Sequence, residues 1–344
     1  MASTSFAQDC FRPRRERKWD ENTPMSLVSK FKGMGAIYTS DGFYRDTRKE
    51  IEDYASDSTC AAQLTQIACT VIPRKDFDFN SSKGEYRFNK YVPSMAERMN
   101  MCKDERFAQQ LSPGTCSCFL TADNEVTTAG HCFGGKNMNE KKKGCQDSFI
   151  VFGFDSEAAR KGYKFKSDQV FSCNDIDKTE TTADPYKSMD VMRVRLNETA
   201  ANRYRKPLDL EKQKNQEKPV KDRDLCMIGS PLGAPLKMAL GQVKGLRTID
   251  VKGKSITVIR SDMDGMAGAS GSMVVDCKTG ALQGVYLSGA PDLEDAPEGC
   301  KRAAYYDSKG VEVGLGGENI MWVGDIPPAN WSTSVKSRKK PGVK

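Results

Sequence analysis

The chain has 344 residues, of which 53 are lysine or arginine and 46 are aspartate or glutamate, so its net charge is +7. A hydrophobic share of 38% with 29% charged residues is typical of a globular protein that buries a core. Several classes are excluded: no apolar run reaches the roughly 18 residues of a membrane helix, no GxxxxGK[ST] or GxGxxG nucleotide loop occurs, and one histidine cannot build a site from several imidazoles.

The cysteine content predicts a disulfide framework. An even number, twelve, indicates disulfides formed in an oxidising compartment. None of the spacings is the CxxC of a zinc ribbon, since Cys116 and Cys118 are one residue too close, and neither a metal nor a cofactor is expected. The cysteines stand at positions 10, 60, 69, 102, 116, 118, 132, 145, 173, 226, 277 and 300.

Residues 1–35 are basic and show no apolar periodicity, which predicts a flexible leader or a pro-segment. A hydrophobic signal region is missing, but the step Ser5-Phe6-Ala7 is similar to the small-x-small end of one. We therefore expect a secreted or periplasmic bacterial protein whose signal peptide is mostly absent from this sequence.

Residues 36–112 are interpreted as an N-terminal extension that packs on the domain after it. Apolar residues between Ala61 and Val71 recur at helical spacing, whereas Cys69–Ile72 is equally compatible with a strand. The pattern is therefore compatible with either a helix or a strand. Polar sequence follows to about residue 112.

Residues 113–327 break into short β-type runs with turn residues between them, which predicts an all-β barrel or sandwich domain. The polar stretch 209–224 predicts an exposed insertion, and the basic segment 328–344 predicts a disordered tail. The runs include Cys118–Leu120, Glu125–Thr128, Phe149–Phe154, Val191–Leu196, Leu225–Ile228, Ser255–Ile259, Ser272–Val275 and Gly284–Leu287.

The single histidine, His131, follows a strand-like run and a small Ala-Gly pair that allows a tight backbone turn. A lone histidine is usually structural. Its position beside Cys132 at the end of a strand nevertheless makes a search for partners worthwhile.

A second candidate is Asp190, which begins the run Asp190–Leu196. Asp190, Met192, Val194 and Leu196 alternate onto one apolar face, so the carboxylate is expected to be buried and to need a partner. An imidazole N–H is the partner that orients a general base. The alternative is an aspartate that bonds to a loop backbone.

The third candidate is Ser270, which stands between small residues just before a strand. Such a turn exposes a nucleophile, and the N–H groups of Gly268 and Ser270 can point together at a developing oxyanion. A Gly/Ser-rich hairpin turn is the alternative, and this segment by itself favours it.

Taken together, His131, Asp190 and Ser270, separated by 59 and 80 residues, resemble the trypsin-like serine proteases of the chymotrypsin fold. The resemblance implies an all-β fold of two packed six-stranded antiparallel β-barrels with an N-terminal extension. It implies that Ser270 attacks a peptide carbonyl and forms an acyl-enzyme, that His131 takes and returns the proton, and that Asp190 fixes the tautomer.

The closest similarity is to the bacterial branch related to glutamyl endopeptidases, over residues 35–325. The resemblance to that branch implies a disulfide between Cys116 and Cys132. Cys118 stands where that branch usually has glycine, so the partner of Cys118 is left open. The similar segments are Tyr44–Lys49, Ser58–Ala62, Cys102–Phe107, Gly114–Leu120, Thr128–Cys132, Phe149–Phe154, Ile228–Lys237 and Gln283–Gly289.

Three positions depart from the family pattern. Ala269 replaces the aspartate with which trypsin-like zymogens capture a newly cut N-terminus, so activation by that ion pair is unavailable. Met273 replaces a common proline and Ala267 a frequent glycine, and neither change removes a reacting group.

Substrate specificity is left open by the sequence. The resemblance puts Asp264 at the base of the S1 pocket, with Ser288 and Gly289 beside it, and an acidic base favours Arg or Lys at P1. Asp264 also has a structural interpretation, so a basic P1 stands at even odds with a non-basic or narrow preference.

The leading hypothesis is an exported, monomeric serine endopeptidase that acts on proteins or peptides. The main alternative is a catalytically weak relative that serves as a binding or scaffold protein. Nucleic-acid binding is not expected, because the +7 charge lacks interleaved aromatic residues or a recognisable module.

Overall fold

The computed structural model describes residues 10–11, 36–39, 42–45, 47–51, 59–177, 189–304, 311 and 316–331. The leader predicted for residues 1–35 and the tail predicted for 328–344 therefore lie largely outside the described residues. Within the described ranges, none of the helices is long and apolar enough to cross a membrane.

The described chain is built mainly of β-strands, as predicted. The strands are β1 (Ala36–Thr39), β2 (Gly42–Arg45), β3 (Lys49–Glu50), β4 (Ala68–Pro73), β5 (Phe77–Asn80), β6 (Glu85–Phe88), β7 (Cys116–Ala122), β8 (Glu125–Ala129), β9 (Ser148–Phe152), β10 (Lys164–Lys166), β11 (Val170–Ile176), β12 (Val191–Leu196), β13 (Asp224–Gly229), β14 (Lys237–Val251), β15 (Lys254–Ser261), β16 (Met273–Asp276), β17 (Leu282–Ser288), β18 (Leu293–Asp295), β19 (Lys301–Ala303) and β20 (Glu318–Trp322). The α-helices among the described residues are short: α1 (Thr59–Ile67), α2 (Met95–Met99), α3 (Met138–Gln146), α4 (Ser156–Arg160) and α5 (Leu210–Gln213).

Six antiparallel strands close into the first barrel, in the order β11–β12–β8–β7–β4–β9. Alternation explains the inward face of β12, where Met192, Val194 and Leu196 are buried. The outward face is covered as well: Arg193 is buried and donates to the carbonyl of Pro327 (2.9 Å).

Strand β4 corrects one boundary drawn from the sequence. The helical and strand patterns around residues 61–72 both occur, one after the other, because α1 ends at Ile67 and β4 begins at Ala68. Since β4 pairs with β7 and β9, the barrel begins within the segment assigned to an N-terminal extension and not at residue 113.

The second set of strands also closes on itself. Antiparallel pairings run from β13 through β16, β17, β20, β15 and β14, and a further pairing of β14 with β13 completes the ring. Strand β3 adds to the edge of β14, so residues 47–51 lie against this ring. The polar stretch 209–224 is mostly exposed, but Leu210 at the start of α5 is buried.

All twelve cysteines are paired. The partner of Cys118, which the sequence left open, is Cys69 directly across the β4–β7 ladder. The six disulfides are Cys10–Cys60, Cys69–Cys118, Cys102–Cys300, Cys116–Cys132, Cys145–Cys173 and Cys226–Cys277.

Candidate active site

His131 lies on a 3-10 turn, Gly130–Phe133, that leaves the end of β8. The disulfide between Cys116 and Cys132 ties this turn to the first residue of β7, which is the pair that the family resemblance implied. The imidazole is about one-third exposed (35%), so the ring is fixed at its base and still open to a substrate.

Asp190 meets the histidine ring. Its Oδ2 lies 2.6 Å from His131 Nδ1, and the carboxylate is buried, with 1% of the side chain exposed. The register of β12 on β8 explains this contact, because Val191 pairs with Ala129 and the N–H of Gly130 donates to the Asp190 carbonyl (2.8 Å). An imidazole bound through Nδ1 has its Nε2 available for proton transfer.

Ser270 lies on the loop before β16 and packs against the end of β8. A Cβ placed on the next residue, Gly271, would stand 2.8 Å from the backbone nitrogen of Ala129, so only glycine fits there. The Ser270 hydroxyl donates to the carbonyl of Leu287 (3.1 Å), and no hydrogen bond joins it to His131 within the described chain.

The loop also presents two backbone N–H groups. Gly268 has φ +87°, a left-handed conformation suited to glycine, and a Cβ there would stand 2.7 Å from the nitrogen of Gly233. Within the described ranges, the N–H groups of Gly268 and Ser270 have no internal acceptor. They are therefore free to bind a developing oxyanion.

Ser117, on β7, holds this loop, and the sequence did not single it out. Its N–H donates to the Ser270 carbonyl (2.8 Å), and its hydroxyl donates to the Gly268 carbonyl (2.8 Å). The same hydroxyl accepts from the N–H of Ser230 (2.8 Å). One buried serine thus connects the first barrel to two sides of the Ser270 loop. Its only sequence signal is a place between two cysteines.

Asp264 lies in a cavity beside the Ser270 loop. Its Oδ2 accepts from both the N–H and the hydroxyl of Thr47, at 2.6 and 2.7 Å, so the N-terminal segment already binds this carboxylate. Ser288 and Gly289 lie nearby, where the Ser288 hydroxyl accepts from Asn319 (3.3 Å). The cavity is lined by Asp262, Met263, Asp264, Gly265, Met266, Ala290, Pro291, Asp292, Ala304, Val311, Gly317 and Glu318.

Glu318 is a second carboxylate of this cavity that sequence analysis missed. It is 4% exposed and accepts a hydrogen bond from the Tyr286 hydroxyl (2.5 Å). A Cβ on Gly289 would collide with Glu318 Oε2, at 1.7 Å, so the side chain reaches the position that the resemblance assigned to S1. Burial raises the pKa of Glu318 well above its usual value, assisted by the charges of Asp292 and Asp264 and opposed by the Tyr286 hydrogen bond.

Two clusters of atoms that could ligate a metal occur among the described residues. Cys116, His131 and Cys132 lie close together, as do Cys102, Glu298 and Cys300. In both groups the sulfur atoms belong to disulfides, which do not supply the thiolates that bind zinc.

Part of this chain matches a known protein family. No curated protein matches the chain. Two solved structures resemble it at low identity: the active form of the Rv3671c protease from M. tuberculosis (TM-score 0.41, 14% identity, 77% of this chain and 80% of that chain) and human heparin binding protein (TM-score 0.42, 11% identity, 76% and 89%). The segment that bears His131, Asp190 and Ser270 lies within residues 116–285, which match the family model of the trypsin-like peptidase domain.

Proposed function

We propose that this protein is a serine endopeptidase. Ser270 attacks the scissile carbonyl and forms an acyl-enzyme while His131 takes the hydroxyl proton and returns it to the leaving amine. Asp190 holds the imidazole in the required tautomer. A water activated by His131 then hydrolyses the ester and restores Ser270.

The observation that carries this proposal is the contact of 2.6 Å between His131 Nδ1 and the buried Asp190 carboxylate. A buried charge needs a partner, and this partner is a ring that remains open on its far side. Ser270 lies on the loop packed against the same end of β8, and its hydroxyl donates to the Leu287 carbonyl in this arrangement. Hydrogen bonds of catalytic serines often tighten only when substrate binds.

The oxyanion is assigned to the N–H groups of Gly268 and Ser270. Ser117 supports this role, because its bonds to the carbonyls of both residues hold the peptide units that directly follow the two N–H groups. Fixed donors need no reorganisation as charge develops on the substrate oxygen.

A basic P1 residue is the preferred substrate feature. Asp264, Asp292 and Glu318 surround the cavity beside the Ser270 loop, and burial raises the pKa of both Asp292 and Glu318. A lysine or arginine side chain that reaches these carboxyl groups favours their charged forms and gains charge-assisted hydrogen bonds. The narrower similarity to glutamyl endopeptidases stays a prediction.

A catalytically weak binding protein is the second candidate. The bond from Ser270 to the Leu287 carbonyl favours it, because the hydroxyl is turned from His131 in this arrangement. The six disulfides support export for either candidate, because such bonds persist in oxidising compartments.

Labelling with a fluorophosphonate probe separates the two candidates. We expect the full chain to be labelled at Ser270, with no labelling in Ser270→Ala and full labelling in Ser82→Ala, whose hydroxyl donates to Asn80 Oδ1 (2.8 Å) in the exposed turn between β5 and β6. A peptide library that varies P1 then tests the acidic cavity. Absence of labelling in a folded, disulfide-bonded chain contradicts the endopeptidase and favours the binding protein.

A further inference from the structure

Lys141 is a buried lysine behind the histidine turn. It is 4% exposed, although it belongs to a run of three lysines on α3. Its neighbours Lys142 and Lys143 are 42% and 74% exposed and pair with Asp175 and Asp147. Burying an ammonium group costs free energy, so the position of Lys141 requires an explanation.

The Lys141 ammonium is bound to the residue that precedes the histidine. Its Nζ donates to the carbonyl of Gly130 (3.1 Å), and the N–H of Gly130 donates to the carbonyl of Asp190 (2.8 Å). The peptide units on both sides of Gly130 are therefore held, one by the lysine and one by the backbone of the aspartate. His131 follows directly, so these bonds define where its ring begins.

Electrostatics connect the same groups. Burial lowers the pKa of Lys141, and the charge of Asp190 acts in the opposite sense. Coulomb attraction is mutual, so the ammonium also stabilises the carboxylate. Asp190 needs this support, because its Oδ1 is buried and finds no hydrogen-bond partner among the described residues, while Oδ2 is engaged by His131.

The other charges near α3 are already engaged. Asp175, on β11, binds Lys142 at 2.8 Å, and Asp147, at the end of the helix, binds Lys143 at 2.5 Å. Among the described residues, the charged group in contact with His131 is Asp190. The sulfur of the adjacent Cys132 belongs to a disulfide and carries no charge. Lys141, by contrast, interacts electrostatically with Asp190.

We propose that Lys141 is a positioning residue for the His131–Asp190 pair: its ammonium fixes the Gly130 peptide and places a positive charge behind the pair. The catalytic purpose of this role rests on the proposed endopeptidase function. The effect of the ammonium charge on the His131–Asp190 pair does not require catalysis. Lys141 touches no reacting atom and acts through His131.

Removal of the charge has a defined sign. Without the ammonium, the surroundings of the imidazole become more negative, and the protonated ring is favoured. The ring then takes up its proton at a higher pH. In an active enzyme the acid limb of the kcat/KM profile moves in the same direction, since the base must be neutral to act.

The test uses the fact that this chain has one histidine, so its imidazole NMR signals need no assignment. They are titrated in the Ser270→Ala background, and we expect the midpoint in Lys141→Met to rise by about one pH unit. Lys141→Gln keeps an N–H donor for Gly130 without the charge and is expected to show the same rise. Lys141→Arg keeps the charge and is expected to titrate as the parent does.

Lys142→Met is the matched control, because it removes a lysine from the next position of the same helix. An unchanged midpoint in both Lys141→Met and Lys141→Gln, or an equal rise in Lys142→Met, overturns the proposal. The titration measures protonation of His131 and does not depend on hydrolysis. An unchanged midpoint in the Lys141 variants refutes the role of Lys141 even if the parent chain hydrolyses peptides. Absence of hydrolysis refutes the endopeptidase even if the midpoint rises.

Discussion

Ser117→Ala tests how the Ser270 loop is held. Ser117 is fully buried at the junction of the two barrels, and its hydroxyl makes two bonds that an alanine cannot make. It donates to the carbonyl of Gly268 and accepts from the N–H of Ser230, each at 2.8 Å. The bond from the Ser117 N–H to the Ser270 carbonyl belongs to the backbone and remains.

The cost follows from what the substitution leaves behind. The Ser230 N–H is fully buried and loses its acceptor, which costs about 1–3 kcal/mol. The carbonyl of Gly268 loses its donor as well, which costs about 1 kcal/mol. We therefore expect the free energy of unfolding to fall by about 2–4 kcal/mol. Looser placement of the Gly268 peptide is expected to lower kcat roughly 10- to 100-fold.

Urea unfolding with the disulfides intact measures the first quantity, and peptide hydrolysis measures the second. Ser82→Ala is the control, because it removes one hydroxyl bond, to Asn80 Oδ1, in the exposed turn between β5 and β6. It is expected to cost about 1 kcal/mol and to leave kcat unchanged. A Ser117→Ala chain that matches this control in both measurements refutes the reasoning.

Two further predictions concern the buried carboxylates. Asp190→Asn is expected to lower kcat by a factor on the order of 10⁴ with little change in KM, because the amide favours the wrong tautomer of His131; steady-state hydrolysis of a peptide ester or amide checks this. Glu318→Gln tests the raised pKa of Glu318. The native state holds a proton that the unfolded chain releases above pH 4.5, so stability falls as pH rises from there toward the native pKa. Urea unfolding at several pH values is expected to show this fall in the parent and in the exposed control Glu198→Gln, but not in Glu318→Gln.

The sequence was sufficient for the features that depend on local chemistry and chain order. A small Ala-Gly pair before His131 and glycines around Ser270 reveal turns, and the alternation after Asp190 reveals a strand with a buried start. The structure brings His131 and Asp190 into contact because these short-range patterns end at the same edge of the β8–β12 pair.

Features that depend on contacts through space were not readable. Lys141 is one of three consecutive lysines, and only the orientation of α3 decides which of them points inward. The position of Glu318 in the cavity is evident only from its contacts with Gly289 and Tyr286, which lie far from it in the sequence. The sequence alone places β4 in an N-terminal extension, because the strand that pairs with it in the barrel follows more than 40 residues later.

Ala269 gives these contacts a further meaning. In trypsin-like zymogens an aspartate at this position orders the active site after cleavage, whereas Ala269 is fully buried in an apolar cluster with Met227 and Tyr286 and offers no charge. From the first barrel, the Ser117 hydroxyl donates to the Gly268 carbonyl of the loop. From the second set of strands, the Tyr286 carbonyl accepts from the N–H of Gly271 (2.8 Å). Residues of both barrels therefore hold the Ser270 loop among the described contacts.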